Sequence, residues 1–437
     1  MNGDRIVAAL RRPAMLVLLW VAALWKFVSA LLTLPPLAHR LDFVCYYDSV
    51  LALRQGLDPY TANLAAVGNR FGFETGPLIH GVDTPLLLLL LEPLTLFTPA
   101  NAFLVWTSFN LAVLAIGIYL LLIRRPGLDT NTAWLLGALI LAFYPVGWNF
   151  FWAQTQVIIL VLMVAAMRAM EDEHEGAAGL YVALAGLLRA YPFLLLGYFA
   201  LRRNWRVMKF AIAGAFVGAL IPALILGFAR CFSWVHGAAW VSNHDRMIFP
   251  FVISVAPFVS RMYWALLGPT AADWSRHSLI FAVDAIFLGM TVRATLASVG
   301  RRDYEFRIYS LWIVTTVLLS PIAWHHYLVL LVLPFVQMAI AAVNDRAKPR
   351  ELWMAAASYL LACVSVPITF QLLAHPSAFQ RAFPSLSAPL METGFFTLLM
   401  GYVAVYWFVA DLKSDDRAVE SPDLTDQEPR PLKAIGA

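Results

Sequence analysis

The sequence predicts an all-α, polytopic membrane protein with about twelve transmembrane helices, and three observations predict it. Of its 437 residues, 61% are hydrophobic and only 13% charged, against roughly 45–50% and 25% in a soluble domain. A water-facing surface cannot be built from that composition. Several apolar runs exceed the ~20 residues needed to cross a ~30 Å hydrocarbon core, where helices satisfy every backbone group internally. The runs also lack the apolar–polar alternation of a membrane β-barrel. A net charge of +4, with the arginines gathered at run ends, argues against a nucleic-acid partner and for membrane lipids.

Taken in order, the runs predict spans at 13–35, 100–123, 131–149, 155–171, 176–189, 191–201, 207–229, 277–298, 305–320, 326–343, 352–373 and 392–411. Basic residues precede the first run, no small-residue cleavage site follows it, and an uncleaved first helix is expected. The segment at 191–201 is short and depends on Arg189 and Pro192 marking a break. Positive-inside bias supports this count with both termini cytoplasmic. The inner turns then carry Arg11 and Arg12, Arg124 and Arg125, Arg202 to Lys209, Arg301 to Arg307, and Arg346 to Arg350. The run Thr84–Phe97, with Pro85, Glu92 and Pro93, is short for a span and is expected to be interfacial or re-entrant.

Two long outer segments remain, 36–99 and 230–276. In the first, Asp42, Tyr46 and Ser49 share one face of a helix that Gly56 and Asp58-Pro59 stop, predicting a juxtamembrane helix at the outer surface. Residues 1–411 form one transmembrane domain in this reading, and 412–437 a disordered cytoplasmic tail. Cys45, Cys231 and Cys363 show no metal spacing and read as small hydrophobes.

Polar groups collect at the outer ends of the spans: Asp42, Gln154 with Gln156, Arg189, and His325 with His326. Polar groups at membrane depth cost ~2.5–3.5 kcal/mol for a central Arg or Asp, so they tend to line functional cavities. Each has a bland alternative: a snorkelling arginine, a helix-end histidine, an N-cap aspartate, a glutamine bonding its neighbour. Lys26, in the middle of the first span, is either a snorkeller or paired inside the bundle. Convergence of a carboxylate, a cation, imidazoles and amides on one side favours a site.

Such a set suits glycosyl transfer from a lipid-phosphate sugar, where a hydroxyl attacks the anomeric carbon and phosphate departs unprotonated. That displacement needs one base and cationic or amide donors, not the two carboxylates of glycoside hydrolysis. Arginine suits phosphate in a poorly hydrated site. No Asp-x-Asp pair lies in the first loop, although Asp42, Asp48, Asp58, Glu74 and Asp83 are there, so neither a metal nor another cofactor is expected. A secondary transporter is the main rival reading, yet no repeat of two matching halves is visible. A lipid-glycan flippase or assembly subunit is the third.

Four motifs in order give a resemblance. Asp42, Tyr46, Tyr47, Gly56 and Asp58-Pro59-Tyr60 stand in the first loop, Ala153-Gln154 opens a later span, Arg189 to Pro192 follows, and Ser320, Pro321, Trp324, His326 and Tyr327 come last. Over approximately residues 35–340 the chain resembles the polyprenol-phosphate-mannose-dependent mannosyltransferases of glycosyltransferase family 87. The resemblance implies a C-type glycosyltransferase fold in a bacterial inner membrane, with the active site facing the extracytoplasmic side. It also implies a polyprenyl-phosphate sugar donor and a lipid-linked or glycan acceptor. Asp42 would be the base in an inverting transfer, with Arg189 and His326 on the donor phosphate. Tyr46, Tyr47, Asp83, Gln154, Gln156, Trp324 and His325 would contact substrate, and the motif favours His326 over His325 as the ring that faces the site. Three positions depart from the pattern: Arg189 replaces lysine, Ala153 replaces glycine, and Asp83-Thr84-Pro85 replaces Tyr-Pro-Pro, which makes Asp83 a rival base.

Overall fold

A computed structural model describes residues 11–32, 41–70, 83–124, 128–243, 250–268, 272–299, 305–344, 347–375 and 388–410. The expected tail, Glu74, and the inner-turn residues Arg125, Arg301, Arg302 and Arg346 lie outside them. Among the described residues every regular element is helical, apart from one isolated bridge between Val252 and Trp324.

Helices α1 (Pro13–Leu32), α2 (Leu41–Arg54) and α3 (Leu64–Arg70) open the chain. Helix α4 (Pro85–Leu91) runs into a 3-10 turn, and α5 (Pro99–Ile118) into a π turn. Next come α6 (Thr130–Ala142), α7 (Tyr144–Phe151), α8 (Gln156–Glu171) and α9 (Glu175–Leu188). A 3-10 turn (Tyr191–Leu194) leads into α10 (Leu195–Leu201), followed by α11 (Trp205–Leu226) and α12 (Phe228–Asn243). Helices α13 (Val255–Leu267), α14 (Asp273–Leu296) and α15 (Glu305–Leu318) precede a 3-10 segment (His325–Leu331) that continues as α16 (Val332–Val343). Helices α17 (Pro349–Ala374) and α18 (Thr393–Ala410) complete the described chain.

Among the described residues six helices are long and apolar enough to cross a membrane, or seven if α6 and α7, bent by 48°, count as one span. Helices α11 and α14 turn large apolar side chains such as Phe216, Leu224 and Phe281 outward, as a lipid-facing surface requires. The chain is a multi-pass membrane protein. Helices stand in all twelve predicted places, but α8, α9 and α15, of 16, 14 and 14 residues, reach only about 20–25 Å at ~1.5 Å per residue. Twelve full crossings therefore do not follow from helix length. Instead α15 is enclosed, every residue from Ile308 to Leu318 being buried.

The predicted span at 131–149 breaks at Phe143 because Pro145, in the first turn of α7, cannot continue the backbone ladder. Lys26 donates from Nζ to the Ala142 carbonyl at 2.8 Å, meeting an acceptor left open at the end of α6. Lys26 is thus paired with the main chain on the exposed side of the bundle rather than enclosed within it. The helix expected at the outer surface, α2, is enclosed on most of its circumference, with Phe43, Val44, Tyr46, Asp48, Ser49, Val50 and Ala52 all buried. Gly56, at φ +77°, ends it as expected.

Ion pairs cluster at one end of the bundle: Arg11 with Asp129, Arg124 with Asp172, and Arg206 with Glu175. The last pair ties the start of α9 to the start of α11, so α9 and α10 form a hairpin whose turn, at Arg189 and Ala190, lies about 20 Å from that end. Helix α8 begins at a comparable distance, since its far end at Glu171 and Asp172 also meets this charged layer. Both chain breaks therefore open at one depth, opposite the charged end.

Candidate active site

Three chain breaks build the site. The first is the turn between α7 and α8. Ala153 adopts φ +53°, a left-handed backbone that glycine takes without cost and alanine only under strain. Trp106 donates to the Ala153 carbonyl at 2.7 Å. Asn149 brackets the turn, donating to the Gln154 carbonyl at 3.2 Å and accepting from the Gln156 amide at 3.1 Å. Clamped in this way, Gln154, Thr155 and Gln156 are all buried.

The second break is the α9–α10 turn. Arg189 leaves the helix in extended conformation, and Pro192 starts the next turn. The ring of Phe193 folds back onto Gly186, where a Cβ would lie 2.5 Å from the ring. The third break presents His325 and His326 at the head of a 3-10 segment, against which the Val252–Trp324 bridge lies.

Around these breaks α2 and the start of α4 close in. Arg189 Nη1 pairs with Asp83 Oδ1 at 3.1 Å. Its Nη2 donates to the Tyr46 hydroxyl at 2.8 Å and to Gln154 Oε1 at 3.2 Å, and its Nε to Thr155 Oγ1 at 3.2 Å. Gln154 Nε2 in turn donates to Asp42 Oδ2 at 2.5 Å. The Gln154 amide thus bridges cation and carboxylate, keeping Asp42 and Arg189 adjacent without a direct ion pair. Burial holds the Tyr46 pKa well above the usual phenol range although Arg189 beside it lowers it, so Tyr46 stays protonated and donates to Gln154 Oε1 at 3.1 Å.

His326, 4% exposed, stands at the head of the 3-10 segment with its ring 5.1 Å from that of Tyr327. Gln156 accepts from Tyr191 at 2.5 Å, and the Tyr191 ring packs against Tyr327 at 5.0 Å. Of the residues singled out from sequence, Asp42, Tyr46, Asp83, Gln154, Gln156, Arg189 and His326 come together. Three do not. The Tyr47 hydroxyl donates to the Phe97 carbonyl at 2.8 Å, because adjacent residues of α2 point in different directions. His325 turns its Nδ1 to the Phe251 carbonyl at 3.0 Å and its ring toward Gly394. Trp324 is taken up by the bridge, with its half-buried indole packed on the core.

Sequence reasoning missed Thr155, whose one signal was a hydroxyl between two amides, and gave no role to the rings of Tyr191 and Tyr327. Among the described residues no three His, Cys, Asp or Glu side chains converge in a metal-binding group. The two aspartates differ in access: Asp83 is enclosed against Arg189 at 1% exposure, while Asp42 is partly exposed. Beside them lies an almost wholly apolar cavity of about 510 Å³, lined by Thr84, Pro85, Ala190, Phe216 and Trp234 among others. Its wall therefore contains the immediate chain neighbours of Asp83 and Arg189.

No curated protein and no solved structure matches the chain. Residues 82–321 match the family described as glycosyltransferase family 87. That stretch contains Asp83, Gln154, Gln156 and Arg189 and stops short of His325 and His326. With more than half of its 437 residues in this match, the chain belongs to glycosyltransferase family 87 and is a membrane glycosyltransferase.

Proposed function

We propose that this enzyme transfers a sugar, mannose by resemblance, from a polyprenyl-phosphate donor to a lipid-linked or glycan acceptor on the extracytoplasmic side of a bacterial inner membrane. In this reading the fold is C-type, the twelve helical segments leave both termini in the cytoplasm, and the charged end of the bundle faces inward. One observation carries the proposal: a carboxylate and an arginine held apart by one amide, next to an apolar cavity.

The acceptor hydroxyl oxygen attacks the anomeric carbon as Asp42 takes its proton. The bond from that carbon to the phosphate oxygen breaks, with inversion, and the phosphate leaves with the electron pair. Arg189 and His326 face the charge that develops on it. Arg189 is already oriented by Asp83 and Thr155, so little reorganisation accompanies the reaction. A phosphate oxygen would replace one of its neutral acceptors, Tyr46 or Gln154. The apolar cavity suits the isoprenoid chain, and no divalent metal is needed to balance the phosphate.

Arg189→Gln tests this in membranes supplied with a radiolabelled polyprenyl-phosphate sugar. Bonds to a charged group are worth about 1.5–3 kcal/mol, so donor KM is expected to rise about 10- to 100-fold, with Arg189→Lys intermediate. An unchanged donor KM in a folded Arg189→Gln protein would remove the arginine from the donor site.

A further inference from the structure

One buried ion pair stands outside the polar cluster, and the proposed reaction does not use it. Glu392, 1% exposed, immediately precedes α18; the Arg261 side chain, 10% exposed, projects from α13. Arg261 grips both carboxylate oxygens, with Nε at 2.5 Å and Nη2 at 2.6 Å, and the same Nη2 donates to the Val252 carbonyl at 2.8 Å. Val252 is the residue bridged to Trp324. On either side of that bridge the Ile253 amide donates to the Ala323 carbonyl at 2.6 Å and the His325 amide to the Phe251 carbonyl at 3.1 Å. The next residue is His326.

The surroundings leave little slack. Phe258 of α13 stacks on Phe395 of α18 at 3.8 Å. A Cβ on Gly394 would lie 2.4 Å from both His325 Nε2 and Ile253 Cγ2. The start of α18, helix α13 and the histidine turn therefore form one closed unit.

Burying an ion pair adds little stability by itself, since apolar residues of similar volume often serve equally well or better. What a forked guanidinium on a carboxylate supplies is direction. Here that direction leaves an N–H aimed at the Val252 carbonyl. We propose that Arg261 and Glu392 are positioning residues for His326: through residues 251–253 they set where the imidazole enters the site. The proposal rests on the reading of His326 as a donor-phosphate contact.

The test uses the full-length protein carrying Glu392→Gln, Arg261→Lys, or the exchange Arg261→Glu with Glu392→Arg, and His326→Ala as reference. The exchange restores an ion pair but leaves no donor at position 261 for the Val252 carbonyl. Two readouts are taken besides the melting temperature. One is disulfide yield between Val252→Cys and Trp324→Cys, in a background without Cys45, Cys231 and Cys363; facing residues of such a bridge lie about 4.5 Å apart at Cα, within disulfide range. The other is the split between KM and kcat for a polyprenyl-phosphate sugar.

The expected result is a folded exchange variant and a folded Glu392→Gln with lowered disulfide yield. Donor KM should rise up to about 100-fold toward that of His326→Ala, with acceptor KM unchanged and partial recovery in Arg261→Lys. Parental disulfide yield and donor KM in both variants overturn the proposal. Loss of folding in both also overturns it, since the pair then has a structural role only. A lowered disulfide yield with donor KM unchanged, in these variants and in His326→Ala alike, keeps the positioning and removes His326 from the donor site.

Discussion

Replacing Asp42 with asparagine removes a proton-accepting charge while keeping the shape that Gln154 binds. The bond from Gln154 Nε2 at 2.5 Å passes from charged to neutral acceptor, a change on the order of 1 kcal/mol in stability. A positioned general base contributes about 10²–10⁴-fold to rate, equivalent to roughly 3–5 kcal/mol of barrier. The expected outcome is therefore a fall in kcat of that size with donor KM and melting temperature almost unchanged. Transfer from a radiolabelled polyprenyl-phosphate sugar in membranes measures it. Asp83→Asn is the contrast: it strips the carboxylate from the 3.1 Å pair with Arg189, and breaking a buried pair costs about 3–5 kcal/mol, so its signature is lower stability and weaker donor binding. Undiminished transfer by Asp42→Asn would refute the assignment of the base. Undiminished transfer there, together with a stable but inactive Asp83→Asn, would move the role to Asp83.

Three further outcomes are expected. Asp48 is fully buried against Gly68, neither carboxyl oxygen has a hydrogen-bond partner, and burial pushes its pKa up to about 7. The folded protein then holds this proton more tightly than the unfolded chain, so stability falls as pH rises from about 4 to about 7, by at most about 4 kcal/mol. Asp48→Asn should flatten the melting temperature between pH 5 and 8, and parallel curves for the two proteins would refute this. Ala153→Gly relieves the left-handed backbone at φ +53°, so the melting temperature should stay level or rise, by up to about 1 kcal/mol, with transfer retained; a marked loss of stability would contradict the strain argument. Incubation with EDTA should leave transfer intact, and activity restored only by added divalent cation would show that the phosphate charge is not met by side chains alone.

Long apolar runs placed the helices because a segment avoiding water must be apolar throughout. Hydropathy does not say whether such a run crosses. A 14-residue segment like α9 has the same composition whether it spans or stops at a buried polar turn, which is why the twelve predicted segments exceed the six full-length spans among the described residues. At the site, Asp42, Gln154 and Arg189 were visible as expensive polar residues sharing one side. The phase of neighbours was not visible. Tyr46 and Tyr47 are chemically alike, and only the packing of α2 sends one hydroxyl to Arg189 and the other to Phe97. His325 and His326 are likewise separated by the bridge to Val252. Arg261 and Glu392, 131 positions apart, carry no local pattern that would pair them.

The break between α7 and α8 has an electrostatic consequence. A helix carries partial positive charge at its first turn, where the main-chain dipoles align, although in α8 the first amide, that of Gln156, is already taken by Asn149 Oδ1. Helix α8 starts at Gln156, immediately after Thr155, which accepts from Arg189. In the proposed donor site, the attraction for an anion would thus be divided between a guanidinium that mutation can delete and a main-chain dipole that it cannot. Neutralising Arg189 should accordingly weaken anion capture without abolishing it.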